Sequence, residues 1–217
     1  SCRGRTDGAD TKGTMCDDLL PPVSGPARDG TLARIPTTPP GVIGLDSTGG
    51  SPTQTRTSIA DRIVSFARQQ RGARVGDGQC FALADRALRS AGAKSAADFG
   101  RITRDADYVW GTSVAFSDLR PGDVIQFRDY RVDLEIVTET SDEVRTRTER
   151  HTRPHHTAIV EQVGANGIVT VLEQNAPEGS ATTRTSLHFT SGTFTSGNTT
   201  TTVRVQGTLW YYRAEAR

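Results

Sequence analysis

The sequence has almost no net charge and lacks any long hydrophobic run. Its 217 residues carry 26 basic and 25 acidic side chains, which gives a formal net charge of +1. This balance argues against nucleic acid or an anionic membrane surface as an electrostatically recruited partner. Because no stretch approaches the roughly 18 consecutive apolar residues of a membrane span, we expect no transmembrane helix.

Hydrophobic residues are also scarce, at 34% of the chain, and they are scarcest in the first 57 residues. Residues 1–57 hold 7 of the 10 prolines and 9 of the 22 glycines, and they show no sustained helical or strand periodicity. We therefore predict a flexible Pro/Gly-rich lead or linker over residues 1–57. A single domain over residues 58–217 follows it and is long enough to bury a core.

Cysteine is rare and unevenly distributed. Cys2 and Cys16 lie in the lead, and Cys80 lies in the domain. A disulfide between Cys2 and Cys16 would require an oxidising compartment, and a lipid anchor on Cys2 would also follow export. A third interpretation leaves both thiols free. We expect a secreted or cell-envelope protein, with the disulfide and the lipid anchor as alternatives.

The hydrophobic pattern of the domain predicts helices first and strands afterwards. Ser58, with Asp61 three residues later, favours a helix start, and the helical period continues to about Gln70. A second helix is predicted over 79–90. Strands are predicted over 124–128, 157–163, 168–174, 184–190 and 203–213, and a Thr/Gly/Ser-rich loop is predicted between the last two. This order indicates an α+β fold, with N-terminal helices packed on an antiparallel β-sheet.

An alternating stretch at 131–150 predicts a charged β-hairpin inserted ahead of the 157–163 strand. One arm is acidic and the other is basic, so cross-strand ion pairs fit the pattern. The alternative is a solvated hairpin of little energetic consequence, because exposed ion pairs contribute little.

Cys80 is the candidate nucleophile of the domain. It stands at the predicted start of the second helix, where free amides and the helix dipole stabilise a thiolate. A buried structural cysteine is the alternative, since Cys80 also lies on the apolar stripe of that helix. His156, at the start of a strand, can serve as its base. Glu173 and Asn175 lie two residues apart at the end of the next strand, and either could accept the imidazole N–H.

Several short blocks resemble those of CHAP-type amidases and peptidases, relatives of the NlpC/P60 group in the papain-like superfamily. The resemblance covers roughly residues 60–176, and the blocks are Gly78-Gln79-Cys80, Leu119 to Ile125, His156 to Val160, and Glu173-Gln174-Asn175. It implies a papain-like fold with a nucleophile, Cys80, and a general base, His156. Glu173 and Asn175 would be the orienting and polar partners. Members of such families typically cleave amide bonds in peptidoglycan.

The sequence departs from that pattern around the nucleophile. Gln79-Cys80-Phe81-Ala82 replaces the Asp-Cys-Ser-Gly block of NlpC/P60 proteins, so the CHAP branch is the nearer match. The glutamine that papain-like proteases place several residues before the nucleophile is missing. An oxyanion hole would combine the Cys80 amide with another donor, and Gln79 and Arg74 are both open candidates.

Nearby aromatic and histidine residues complete the candidate site. Tyr108 and Trp110 form either an aromatic substrate-binding subsite or core packing, and His155 is a neighbour that modulates the site. No cysteine or carboxylate lies at ligand spacing from the histidines, so we expect no metal and no other cofactor.

The hypothesis is an exported, monomeric cysteine hydrolase that cleaves amide bonds in peptidoglycan peptide. The alternatives are a catalytically silent module that binds peptide or glycan, and a secreted toxin or transferase on the same fold.

Overall fold

The computed structural model describes residues 57–217, so all but the last residue of the predicted lead, including its two cysteines, lies outside the described residues. Two helices come first, α1 (Ile59–Gln69) and α2 (Cys80–Ser90). Seven strands follow: β1 (Thr112–Ser113), β2 (Val124–Glu139), β3 (Val144–Val163), β4 (Ile168–Glu173), β5 (Thr183–His188), β6 (Gly192–Ser196) and β7 (Thr199–Arg213). In the described part of the chain, no helix is long and apolar enough to cross a membrane.

All seven strands belong to one antiparallel sheet. Its order is β1-β7-β2-β3-β4-β5, and β6 pairs with β7 beside this path. The two helices lie against β3 and against each other. Helices packed on an antiparallel sheet agree with the predicted α+β class, although most of the domain is sheet.

Local sequence signals explain where the helices begin. The Ser58 hydroxyl accepts a hydrogen bond from the Asp61 amide at 3.1 Å, and the Asp61 carboxylate accepts from the Ser58 amide at 3.2 Å. This reciprocal capping box starts α1 at the predicted place. The α2 helix buries Leu83, Ala84, Ala87 and Leu88, and its small residues allow close packing against α1.

The sheet is buried on both faces near its centre. One face packs under the helices through Val124, Ile159 and Leu172. The opposite face carries a second core that includes Phe127 and Val171. Because both faces are covered, β2 begins with an unbroken buried run instead of an alternating one.

The charged stretch at 131–150 forms the predicted β-hairpin, and this hairpin is the outer part of the long strands β2 and β3. The two strands stay paired from Val124↔Ile159 to Glu139↔Val144, and β7 pairs alongside β2 for most of that length. A cross-strand ion pair forms between Asp133 and Arg150 at 2.5 Å. The other hairpin arginines pair along their own strand or next to the turn. The extension is therefore part of the main sheet.

The strand β6 lies where the sequence suggested a Thr/Gly/Ser-rich loop. It forms a hairpin with β7, and threonine hydroxyls meet across the pair, at 3.2 Å between Thr195 and Thr200. Threonine is β-branched and favours strands. The loop prediction was wrong because the composition was weighed above this propensity.

A β-bulge in β2 sets which side chains face the second core. The register against β7 shifts between Arg128 and Arg131, and Asp129 takes a positive φ of 54°. The shift puts Phe127 and Tyr130 in contact, with ring centroids 5.4 Å apart. On β7, Gly207 (φ +97°) comes so close to the bulge that a Cβ there would lie 2.4 Å from the Asp129 carbonyl oxygen.

We predict that Gly207→Ala destabilises the domain more than Gly197→Ala. Both glycines have positive φ, which costs an L-residue about 1–2 kcal/mol. Only Gly207 adds a backbone clash, whereas nothing lies within 4 Å of a Cβ at Gly197. Urea unfolding should show a loss of free energy of unfolding for Gly207→Ala that exceeds the loss for Gly197→Ala by at least about 1 kcal/mol. Equal losses would mean that the bulge yields to the added methyl group.

Candidate active site

Cys80 is the first residue of α2 and lies in a cleft of about 610 Å³. Gln79 precedes it in an extended conformation as the N-cap residue, and the Asp77 side chain accepts a hydrogen bond from the Gln79 amide at 3.0 Å. His155, His156 and Asn175 line the same cleft. The thiol is partly exposed and is not bonded to another cysteine. It is therefore accessible from the cleft.

The loop before Cys80 is fastened to the end of β4 by Gln174. This side chain is completely buried and accepts from the Val75 amide at 2.6 Å. Its amide nitrogen donates to the carbonyl oxygens of Val75 and Gln79 at 3.0 and 2.9 Å. The Thr182 hydroxyl donates to Gln174 Oε1 at 3.2 Å. Gln174 thus links the N-terminus of α2 to the strand that carries Glu173.

His156, Glu173 and Arg153 form a buried hydrogen-bonded group. His156 Nε2 donates to Glu173 Oε2 at 3.0 Å, which leaves Nδ1 as the nitrogen available to the Cys80 thiol. Arg153 donates to the same carboxylate through Nε at 2.8 Å and Nη2 at 2.5 Å. The Glu173 side chain is 0% exposed. A buried carboxylate of this kind requires such partners, because it would otherwise be desolvated without compensation.

The electrostatics favour a charged nucleophile and a charged base. Burial would raise the pKa of Cys80, but the hydrogen bond and charge of His156, together with the amides of Thr157 and Phe81, outweigh it and lower the pKa. Burial would lower the pKa of His156, but Cys80 and Glu173 outweigh it and raise the pKa. Despite burial, His156 and Arg153 bring the pKa of Glu173 to about 2. A thiolate–imidazolium pair beside a permanent carboxylate is therefore favoured.

Asn175, unlike Glu173, directs its side-chain hydrogen bonds to groups other than the imidazole. It takes a positive φ of 65° just after β4 ends, so the strand alternation that would align it with Glu173 stops there. Its Nδ2 donates to Gln79 Oε1 at 3.0 Å, and its Oδ1 accepts from the Gly179 amide at 2.6 Å. Of the two acceptors left open by the sequence, the carboxylate is the one at the ring.

The two candidate oxyanion donors are placed differently. Gln79 lines the cleft beside Cys80. Because its Oε1 accepts from Asn175, its orientation is fixed and its Nε2 amide remains a donor. Arg74 instead donates to the Gly179 carbonyl oxygen. The geometry favours Gln79 over Arg74 for this role.

The aromatic residues divide between cleft and core. Trp110 is completely buried, and its Nε1 donates to Gln126 Oε1 at 3.1 Å, so it is a core residue and not a subsite. Tyr108 lines the cleft, and its hydroxyl donates to the Thr103 carbonyl oxygen at 2.7 Å. The His155 ring packs 5.7 Å from Tyr108 and bonds through Nε2 to the Ala106 carbonyl oxygen at 2.8 Å. His155 thereby helps hold one wall of the cleft.

Sequence reasoning missed Arg153 and Gln174. A signal for Gln174 existed, since it stands between two singled-out residues at the end of an apolar strand. Nothing marked Arg153, because its carboxylate partner is 20 residues away in the sequence. Within residues 57–217, no group of histidine, cysteine, aspartate and glutamate side chains has the arrangement of a metal site.

We predict that Cys80 reacts with iodoacetamide well below the pH at which an ordinary thiol does. The thiolate should already form on the acid side of about pH 8.5 because His156 lowers the thiol pKa. His156→Ala should move the labelling midpoint upward, since it removes the charge and hydrogen bond that oppose the effect of burial. Mass spectrometry of the peptide that carries Cys80 measures this without interference from Cys2 and Cys16. Identical midpoints in the two proteins would refute a Cys80–His156 pair.

Comparison with known proteins identifies the family of this chain. No curated protein and no solved structure matches the chain. One family model, described as the AIM3/BBC1 cysteine proteinase-fold domain, matches residues 53–212 and so spans both helices and nearly all of the sheet. It supports a papain-like cysteine proteinase fold, but not the CHAP or NlpC/P60 group specifically. The chain therefore belongs to the AIM3/BBC1 cysteine proteinase-fold domain family.

Proposed function

We propose that the domain is an active cysteine hydrolase that cleaves amide bonds in peptides. The observation that carries this proposal is that Cys80 of α2 and His156 of β3 line one cleft, while buried Glu173 of β4 accepts a hydrogen bond from His156. A papain-like fold with only a structural role would not need a partly exposed thiol of lowered pKa beside a buried histidine–carboxylate pair.

In the proposed reaction, the Cys80 thiolate attacks the carbonyl carbon and forms a tetrahedral intermediate. The Cys80 amide and the Gln79 side chain can donate hydrogen bonds to its oxygen. The C–N bond then breaks, His156 gives its proton to the leaving amine, and a thioester remains on Cys80. Water, deprotonated by His156, hydrolyses the thioester to a carboxylic acid and restores the thiol.

The shape of the cleft supports a peptide as the substrate. A second groove of about 880 Å³ adjoins this cleft and shares His155, His156, Asn175 and Glu178 with it. An extended chain can thus lie along both grooves and pass Cys80 and His156. Both grooves mix polar and apolar walls, which suits a peptide backbone.

Within this class we propose peptidoglycan peptide as the substrate and an extracytoplasmic location. The basis is the resemblance of the Cys80, His156 and Glu173 blocks to CHAP-type enzymes, together with Cys2 and Cys16, which lie outside the described residues. The fold and the site geometry are equally compatible with other peptides.

A silent peptide- or glycan-binding module is the second candidate. It is favoured by the engagement of Arg74 with the Gly179 carbonyl oxygen, which leaves Gln79 as the remaining side-chain candidate for the oxyanion hole. The absence of the upstream glutamine of papain-like proteases points the same way.

Cys80→Ala decides between the two. We expect the parent protein to release new amine and carboxyl groups from purified peptidoglycan or from stem peptides, identified by mass spectrometry. The variant should lose about a thousandfold or more of that activity, because no nucleophile remains, and keep the parent's unfolding midpoint. A chelator should leave turnover unchanged. Binding of the fragments without turnover in the parent protein would favour the silent module.

A further inference from the structure

Arg153 shares the Glu173 carboxylate with His156. Its Nε donates to Oε2, the oxygen that also accepts from His156, and its Nη2 donates to Oε1. Its Nη1 donates to the Thr152 carbonyl oxygen at 2.8 Å. Each nitrogen of the guanidinium therefore has a partner, and the residue is only 9% exposed. The planar fork fixes the plane of the carboxylate as well as its charge.

We propose that Arg153 is a positioning residue for the Cys80–His156 pair, which it controls by holding and partly neutralising Glu173. This proposal deepens the proposed function and rests on it for the catalytic consequence. Its electrostatic part concerns the thiol and the imidazole alone and can be measured without a substrate.

The strand geometry shows why Glu173 needs this support. β3 and β4 pair through Ile159↔Leu172, but the pairing does not continue to Glu173, whose backbone pairs with Thr183 of β5 on the other side. From there, side chains alone connect Glu173 to His156 and Arg153. Without the guanidinium, one hydrogen bond to His156 would hold the carboxylate. Rotation of the carboxylate would then carry Oε2 away from the ring.

The charge balance gives the second reason. The groups that raise the pKa of His156 are Cys80 from α2 and Glu173 from β4, and Arg153, on the same strand as His156, acts on Glu173. The other titratable side chains that line this cleft are Asp77, Arg104, Asp105, Tyr108, His155 and Glu178. From β2, Tyr130 lies near Arg153 and Glu173, but its hydroxyl donates to the His188 carbonyl oxygen at 2.6 Å, and the Phe127 ring adds no charge. Arg153 is thus the positive group that limits how strongly Glu173 stabilises the imidazolium.

This balance matters for both halves of the proposed reaction. An unopposed buried carboxylate would hold the imidazolium proton too tightly for its release to the leaving amine. The same negative charge would disfavour the nearby thiolate. With Arg153 present, the Glu173 carboxylate still orients His156, but the guanidinium charge weakens the negative field that this carboxylate exerts on His156 and Cys80.

The test is the pH profile of Cys80 alkylation by iodoacetamide in the full chain. Arg153→Gln should shift the labelling midpoint upward by about one pH unit, because losing the charge increases the negative field on both partners. Arg153→Lys, which keeps the charge but not the fork, should stay within about 0.3 pH unit of the parent. The kcat of Arg153→Lys on the cleaved substrate should fall at least about tenfold, because lysine no longer holds the Glu173 carboxylate in its plane.

The matched control is Arg68→Gln. Arg68 also pairs with a buried glutamate of β3, Glu161, through a 2.7 Å contact, although the Arg68 side chain itself is exposed and Arg184 pairs with the same carboxylate. The side-chain partners given for Glu161 are these two arginines. We expect the labelling midpoint of Arg68→Gln to equal that of the parent. A shift as large as that of Arg153→Gln would show a general effect of losing an arginine–glutamate pair and would overturn the proposal.

The remaining outcomes separate this proposal from the proposed function. An unshifted midpoint in a folded Arg153→Gln protein overturns the role of Arg153, even if Cys80→Ala confirms hydrolysis. A shifted midpoint in a protein that hydrolyses nothing supports control of the Cys80–His156 pair while the hydrolase hypothesis fails. If Arg153→Gln lacks a cooperative unfolding transition, Arg153→Lys is the test. An unshifted labelling midpoint together with an undiminished kcat in Arg153→Lys would show that the Arg153–Glu173 pair has only a structural role.

Discussion

The geometry of the candidate site depends on one buried carboxylate, that of Glu173. It lies at the end of β4, where backbone pairing with β3 has stopped, and it accepts hydrogen bonds from two side chains of β3. An ionised carboxylate in a desolvated position is tolerated only when partners compensate its charge, and Arg153 and His156 do so. Because the imidazole is one of those partners, the interaction that stabilises this corner of the sheet also orients the base.

Cys80 is connected to this carboxylate through a second buried side chain, that of Gln174. Gln174 follows Glu173 in the chain and bonds to the backbone of the loop that leads into α2. Two adjacent residues at the end of β4 therefore hold the site: Glu173 bonds to His156, and Gln174 bonds to the loop before Cys80. These bonds restrict the motion of Cys80 relative to His156. A cleft built in this way is preorganised, which is what thiol-dependent amide chemistry requires.

Much of the local structure could be predicted from the sequence because its causes are local. The capping box at Ser58, the helix start at Cys80 and the strands around His156 and Glu173 follow from short-range patterns. The errors arose where distant pairing decided the outcome. The Thr-rich segment became β6 because β7 was available to pair with it. The 131–150 hairpin formed as predicted, but its pairing with β7 within the main sheet could not be predicted from its own pattern.

The sequence by itself determined the chemical types in the site: a thiol at a helix N-terminus, a histidine at a strand and a carboxylate on the next strand. It left open whether Glu173 or Asn175 meets the ring, and whether Trp110 belongs to the cleft or the core. Only the tertiary structure decided these points. A backbone turn with positive φ redirects Asn175, and the sheet buries Trp110 against Gln126. Arg153 joined the site for the same reason, since a hydrogen bond between residues 20 positions apart depends on how strands pair and not on local pattern.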